Sequence, residues 1–142
     1  MIENEKTEKL IDELRDSSSL YSYMSKYDTD FPNISFSDFI DLVIQKKKMK
    51  RSQVVKDAGL HRTYAYQIMS GKKKPSRDKV LTLAFGLHLS LEDTQKFLRI
   101  AQFNLLYPKQ KRDSIVIFAL CNAYTLDRTN VLLYDNEEEP IE

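Results

Sequence analysis

Residues 51–70 of this 142-residue chain read RSQVVKDAGLHRTYAYQIMS, and the strongest fold signal in the sequence lies in this stretch. Two short apolar patterns at helical spacing stand on either side of Gly59, a residue free to take positive φ in a tight turn. Two short helices that cross at a steep angle need small or apolar residues where they meet. The meeting positions hold Val54, Ala58, Leu60, Ala65 and Ile68. The stretch therefore predicts two packed helices joined by a turn at Gly59.

Capping residues extend the helical prediction on both sides of this pair. Ser35 and Ser90 each precede an aspartate by three residues, the spacing of a capping box, and Ser76 follows a proline at a third predicted start. The predicted helices cover roughly 36–48, 51–58, 62–69 and 77–86, and a fifth begins after Ser90. No hairpin signal and no sustained alternation of apolar and polar residues is present. The fold is predicted to be all-α.

The three glycines of the chain stand where an apolar helical pattern stops. Gly59, Gly71 and Gly86 each follow such a pattern directly. A residue at positive φ is a common way to end a helix, and glycine adopts that conformation without steric cost. Each of the three is therefore predicted to end its helix in this way.

The two ends of the chain differ from its centre. Residues 5–15 predict a modest helix, and Thr125 predicts a last helix over roughly 126–134. The run 115–121 is apolar on every side, which fits a buried helix or a buried strand. We favour a helix because no other segment could pair with a strand. Residues 137–142 are expected to fray as an acidic tail.

Composition and capping together predict three segments. These are an acidic N-terminal helical arm at 1–33, a central five-helix domain at 34–106 and a C-terminal helical pair with an acidic tail at 107–142.

Charge is strongly segregated along the chain although the net charge is only +1. Residues 46–79 hold twelve Lys and Arg against two Asp and Glu, whereas residues 1–45 hold four against ten. A basic block of this kind is typical of a surface that meets a polyanion. The alternative is an ordinary solvated face, which the lysine triplets 46–48 and 72–74 disfavour because they flank the central helix pair.

Four stretches carry a resemblance to a known family. They are SQVVKDAGL at 52–60, YAYQI at 64–68, SGKKKPS at 70–76 and LAFGL at 83–87. Over about residues 36–100 the chain resembles the lambda-repressor-like regulators, also called xenobiotic-response-element-type helix-turn-helix proteins. The resemblance implies a helical bundle whose helix near 61–70 enters the DNA major groove, usually as a dimer on a two-fold site.

The resemblance and the residue chemistry together suggest which side chains contact DNA. By the resemblance, one set reads base edges: Arg62, Thr63, Tyr66 and Gln67. Arginine can pair with guanine and glutamine with adenine, whereas lysine contacts phosphate without sensing sequence. The predicted phosphate-binding set is Lys50, Arg51, Ser52, Ser70, Lys72, Lys73 and Lys74. Lys46, Lys47 and Lys48 are expected to add to the same positive field.

Other function classes lack a signal in the sequence. No set of nucleophile, base and orienting group and no glycine-rich phosphate loop is present, so an enzyme is not expected. Two distant histidines and one cysteine give no metal spacing, and no cofactor is predicted. Cys121 is expected to be buried and inert. The absence of an export signal and of a long apolar run predicts a cytoplasmic protein without a membrane segment.

Two hypotheses therefore stand. The first is a sequence-specific transcriptional regulator that binds double-stranded DNA as a homodimer. The second is a protein-interaction module, such as an antitoxin-like or adaptor subunit, that binds a protein partner through residues 1–30 or 107–135 and contacts DNA only secondarily.

Overall fold

A computed structural model describes residues 2–16 and 34–142 of the chain. Within these residues the regular secondary structure is entirely helical, which confirms the all-α prediction for this part of the chain. The helices are α1 Ile2–Asp16, α2 Phe36–Lys47, α3 Arg51–Asp57, α4 Arg62–Met69, α5 Arg77–Gly86, α6 Leu91–Ile100, α7 Lys111–Cys121 and α8 Leu126–Asp135. The rest of the predicted N-terminal arm, residues 17–33, lies outside the described residues.

The chain divides into two compact units, Met1–Asn33 and Ile34–Glu142. Helix α1 belongs to the first unit and leaves Ile11 and Leu14 exposed. Residues from 107 onward belong to the same unit as 34–106 and contribute side chains to one shared core. The ambiguous run 115–121 is helical, as predicted, and forms most of α7.

Helix α5 is the centre of the second unit. Its residues from Val80 to Gly86 are all buried, because α3, α6 and α8 pack around it. The helix is therefore buried on all of its faces over this stretch. Helix α2 joins the core through Phe36 and Phe39, whose rings stack on Phe97 of α6 with centroids 4.6 and 5.2 Å apart.

Helix starts follow the predicted caps. The hydroxyls of Ser35, Ser76, Ser90 and Thr125 each accept a hydrogen bond from the backbone N–H three residues later. Each cap satisfies one of the N–H groups that the first turn of a helix leaves without a partner. These caps explain why the predicted starts agree with the structure.

Helix ends are less predictable from sequence, and the prediction that Gly86 ends its helix at positive φ was wrong. Gly59 and Gly71 have positive φ, as expected, but Gly86 is helical and the positive φ belongs to His88. Gly86 is needed for space instead: a Cβ there would lie 2.7 Å from the carbonyl oxygen of Val54 and 2.9 Å from the Cβ of Ala58. Its missing side chain therefore lets α3 and α5 approach closely.

Five described helices end on a residue other than glycine at positive φ. The residues are Lys48, His88, Gln102, Ala123 and Glu137. After each of them, the next N–H bonds back to a carbonyl in the last turn, as from Leu89 to Ala84 at 3.0 Å. This is the Schellman arrangement, which usually places glycine at the left-handed position.

Two ion pairs, which we together call the clamp, fix α5 to α7. Each helix carries an Arg-Asp dipeptide in its first turn, and the two dipeptides pair reciprocally. Arg77 binds both carboxylate oxygens of Asp113 at 3.0 and 2.9 Å, and Arg112 binds both oxygens of Asp78 at 2.9 and 2.8 Å. Burial raises the pKa of Asp78, but the hydrogen bonds and charge of Arg112 outweigh it, so the pKa lies below its ordinary value.

The C-terminal residues are ordered against this clamp, so the expectation of a frayed tail was wrong. Ile141 is only 2% exposed, and its backbone N–H and carbonyl both bond to the side chain of Asn130. Arg112 also donates to the carbonyls of Glu139 and Pro140. One apolar side chain and a set of arginine hydrogen bonds therefore hold the acidic segment in place.

Cys121 was also predicted incorrectly. Its side chain is exposed at the end of α7, although its neighbours Ala119 and Leu120 are buried. The apolar run 115–121 is longer than the buried face of the helix, so its last residue points to solvent.

Candidate functional site

The site is built on the close contact between α3 and α4. Helix α3 ends at Asp57, the chain turns at Gly59 with φ 65°, and α4 begins at Arg62. The N–H of Leu60 bonds to the carbonyl of Val55 at 3.3 Å, which closes the turn. The predicted contact residues Val54, Ala58, Ala65 and Ile68 are buried, and Leu60 is half-buried. Because α4 is anchored by Ala65, Ile68 and Met69, its opposite face is held toward solvent.

The outward face of α4 carries all four residues predicted to read bases. Arg62 and Thr63 are exposed, and Tyr66 and Gln67 are half-buried. Within the described part of the chain, no side-chain hydrogen bond or ion pair engages these four residues. The guanidinium of Arg62 lies 5.8 Å from the centroid of the Tyr66 ring, a cation–π contact that leaves its N–H donors available. The four side chains therefore share one accessible surface, which we call the reading face.

A groove of about 660 Å³ runs beside the reading face. It separates α4 from the first turns of α2 and α3 and is open to solvent. Its lining includes Ser37, Asp41, Arg51, Thr63, Tyr66, Gln67, Met69, Ser70 and Lys72. The predicted phosphate-binding residues Ser70 and Lys72 thus border the same surface as Thr63 and Gln67.

Arg51 has a partner that the sequence did not predict. Its guanidinium forms an ion pair with the carboxylate of Asp41, which lies on α2 ten residues earlier. Both side chains remain well exposed, at 42% and 46%. An exposed pair of this kind is weak in water, so Arg51 can still exchange Asp41 for a phosphate. The pairing nevertheless lowers the positive charge of the groove.

The basic block contains fewer free cations than its composition suggests. Lys47, expected to contribute to the DNA-facing field, donates to the carbonyls of Leu87 and His88 at the end of α5. Burial lowers the pKa of Lys47, and the charge of Asp93 opposes this shift. Arg77 is held by Asp113 in the clamp between α5 and α7. Lys47 and Arg77 therefore form contacts within the fold and do not add free positive charge to the groove.

Most of the other lysines of the block project into solvent. Lys50 and Ser52 are exposed at the start of α3, and Lys72, Lys73 and Lys74 are exposed directly after α4. Lys46 and Lys48 are exposed at the end of α2. None of these lysines has an ion pair within the described residues. The positive surface therefore includes the loop after the reading face and the start of α3.

Sequence reasoning missed one aromatic residue of this region. Tyr64 is half-buried on the flank of α4, and the ammonium groups of Lys73 and Lys79 lie 5.9 and 5.4 Å from its ring centroid. A tyrosine close in sequence to two lysines is a weak signal, because only the packing of the loop 70–76 brings the three side chains together.

His88 links the end of α5 to α3. Its Nε2 lies 2.9 Å from the carboxylate of Asp57, the last residue of α3. The hydrogen bond with His88 is the largest influence on Asp57 and lowers its pKa, although burial opposes the shift. This contact supports the helix that precedes the turn at Gly59.

Two negative findings apply to residues 2–16 and 34–142. No three His, Cys, Asp or Glu side chains there are placed so that they could hold a metal ion. No helix in this part of the chain combines the length and the apolar character needed to cross a membrane.

Comparison with known proteins gives no relative: no family model, no curated protein and no solved structure matches the chain. Membership of the helix-turn-helix family therefore stays a prediction based on the residues quoted above.

Proposed function

We propose that the chain is a transcriptional regulator that binds double-stranded DNA in a sequence-specific manner. In this proposal α3 and α4 form a helix-turn-helix within a five-helix domain, and α4 is the recognition helix. The observation that supports it best is the reading face: four side chains suited to base contacts, exposed or half-exposed and free of polar partners among the described residues.

The dimensions of α4 suit the major groove. Its eight residues span about 12 Å along the axis, and a helix with side chains is about 10–12 Å wide. The major groove of B-DNA is about 12 Å wide and displays a distinct pattern for each base pair. Arg62 would pair with guanine, Gln67 with adenine, and the methyl group of Thr63 would contact thymine. Tyr66 would contact a base edge or, as the alternative, the neighbouring sugar and phosphate.

Affinity would come from the exposed lysines. Lys50 and Lys72 through Lys74 would neutralise phosphates without selecting sequence, assisted by Ser52, Ser70 and Arg51. With about five such contacts per subunit, the logarithm of the binding constant should fall against the logarithm of salt concentration with a slope of about −4 to −5.

We further propose that the protein acts as a homodimer in the cytoplasm, on a two-fold site. Self-association is assigned to the C-terminal helical pair, which leaves Phe118, Val131 and Tyr134 exposed at 52%, 59% and 78%. In this proposal the three side chains would be buried against the partner subunit.

The test is selection of bound fragments from random duplex DNA, followed by affinity measurements on the selected site and a scrambled duplex. Arg62→Ala and Gln67→Ala should each reduce the preference for the selected site by about five- to hundredfold and leave the fold unchanged. Gln45→Ala, on the exposed side of α2, is the matched control. Failure to enrich any sequence, or equal preference in all variants, would contradict the proposal.

The second candidate is a protein-interaction module in which DNA contact is secondary. Exposed Ile11 and Leu14 on α1 favour it, together with the apolar side chains of the C-terminal pair. Deletion of residues 1–30 separates the two proposals. For a regulator, the deletion should leave duplex binding intact, and Arg62→Ala and Lys73→Ala should change it. If neither substitution changes DNA affinity and the deletion abolishes a protein complex, the module is favoured.

A further inference from the structure

A cluster of one tyrosine and two lysines lies beside the reading face, and only one of its members, Lys73, has a part in the proposal above. We call Tyr64, Lys73 and Lys79 the Tyr64 cluster. The two ammonium groups come from different segments, Lys73 from the loop after α4 and Lys79 from the first turn of α5. Both lie within cation–π range of the one ring, at 5.9 and 5.4 Å from its centroid.

The charge of the cluster is uncompensated within the described residues. No carboxylate forms an ion pair with Lys73 or Lys79 there, and Asp78, next to Lys79 in sequence, is bound by Arg112 through both oxygens. The hydroxyl of Tyr64 has no hydrogen-bond partner in the same part of the chain. Because neither ammonium group has a carboxylate partner there, an anion near the ring would be attracted by both charges. The phenol hydroxyl would donate a hydrogen bond to the same anion.

The cluster is adjacent to the reading face. Tyr64 and Gln67 stand three residues apart on α4, so they are neighbours on the helix surface. Tyr64 lies at the border between that surface and the buried side formed by Ala65 and Ile68. A duplex seated on the reading face would therefore bring one of its backbone phosphates toward Tyr64.

We infer that the Tyr64 cluster is a phosphate-contact site that binds one phosphodiester of the DNA backbone beside the bases read by α4. This inference rests on the proposed function and adds two residues, Tyr64 and Lys79, to its contact surface. The cluster senses phosphate charge and position, so it contributes to affinity and to the seating of α4 without selecting sequence.

The experiment measures duplex affinity of the full chain as a function of salt for three variants. Lys79→Ala should weaken binding about fivefold at 0.15 M salt and make the slope shallower by about 0.9, the effect of one lost phosphate contact. Tyr64→Phe removes the hydroxyl and no charge, so it should weaken binding about two- to tenfold with the slope unchanged. Lys96→Ala, an exposed lysine on α6 without an ion pair in the described part, is the control and should change neither quantity.

Each outcome decides between the possible roles of the cluster. If Lys79→Ala and Tyr64→Phe behave like Lys96→Ala while all three keep their unfolding midpoints, the cluster does not contact DNA and the inference is wrong. If Lys79→Ala has its expected effect but Gln67→Ala leaves sequence preference unchanged, the phosphate site stands and base reading by α4 fails. If the unmodified chain binds no duplex at any salt concentration, both proposals fail.

A second arm distinguishes a backbone phosphate from a free anion. Inorganic phosphate is titrated at constant ionic strength, and binding is followed through the amide signals of residues 64, 73 and 79. No saturation below about 10 mM is expected for a site that depends on the rest of the duplex. The inference would be overturned if phosphate saturated the site at a lower concentration, if Lys79→Ala abolished that saturation, and if the same substitution left duplex binding unchanged. The cluster would then be a site for a free anion.

Discussion

Gly86→Ala tests the close contact between α3 and α5, on which the position of α3 depends. In most helices alanine is favoured over glycine by about 1 kcal/mol. Here the new Cβ would lie 2.7 Å from the carbonyl oxygen of Val54 and 2.9 Å from the Cβ of Ala58. Ordinary carbon contacts are about 3.5–4.0 Å, and both obstructing atoms belong to or sit directly on the backbone of α3. The overlap should cost about 3 kcal/mol, the upper end for overpacking, which leaves a net loss of about 2 kcal/mol.

The assay is urea unfolding followed by circular dichroism, with Gly59→Ala as the matched control. Gly59 has φ 65° with open space around it, so its substitution should cost about 1 kcal/mol through backbone strain alone. Adding Ala58→Gly should recover part of the loss in Gly86→Ala and none of that in Gly59→Ala. A Gly86→Ala variant as stable as the unmodified chain, or more stable, would refute the role given to this glycine.

Three further predictions concern the helix ends and the clamp. Ala123 ends α7 at φ 54°, so Ala123→Gly should raise the free energy of unfolding by about 1 kcal/mol; a loss would contradict the left-handed end. Asp113→Ala leaves the guanidinium of Arg77 without its buried partner and should cost about 3 kcal/mol in the same urea assay; a cost below about 0.5 kcal/mol would argue against the clamp. Because the pKa of Asp78 is lower in the folded chain, its ionised form stabilises above about pH 4 and the contribution is lost as the pH falls through the folded value. The stability difference between the unmodified chain and Asp78→Asn should therefore shrink below about pH 4, and a difference independent of pH would contradict the pairing with Arg112.

Helix positions were predictable because their signals are local. Ser35, Ser76, Ser90 and Thr125 cap helices through hydrogen bonds that span three residues, a pattern visible in sequence. Helix ends were harder to predict, because nothing in the sequence marks a residue such as Gln102 as having positive φ. Its conformation is imposed by the packing of the hydrophobic residue that follows.

The errors arose where distant segments meet. The reciprocal Arg-Asp pairs depend on the register of α5 against α7, which neither helix specifies alone. Gly86 was interpreted from its position at the end of an apolar pattern, whereas its role depends on the approach of α3. In the acidic tail, Ile141 was the one apolar residue that could have signalled packing, and its burial requires Asn130 of α8.

The candidate site was predictable in part, because the direction of its side chains depends on one helix alone. The outward direction of Arg62, Thr63, Tyr66 and Gln67 follows from the period of α4 and the burial of its opposite side. The partners of Lys47, Arg51 and Arg77 come from other helices, so composition alone overestimated the free charge.

The most direct measurement of the central claim is an amide chemical-shift map of the full chain on addition of duplex DNA. If α4 and the loop after it contact DNA, the largest changes should fall on residues 62–74, with smaller changes at the start of α3. The exposed α4 side chains and the lysines that follow them would then form the nucleic-acid surface. Changes confined to α7 and α8, or no changes with any duplex, would contradict the claim.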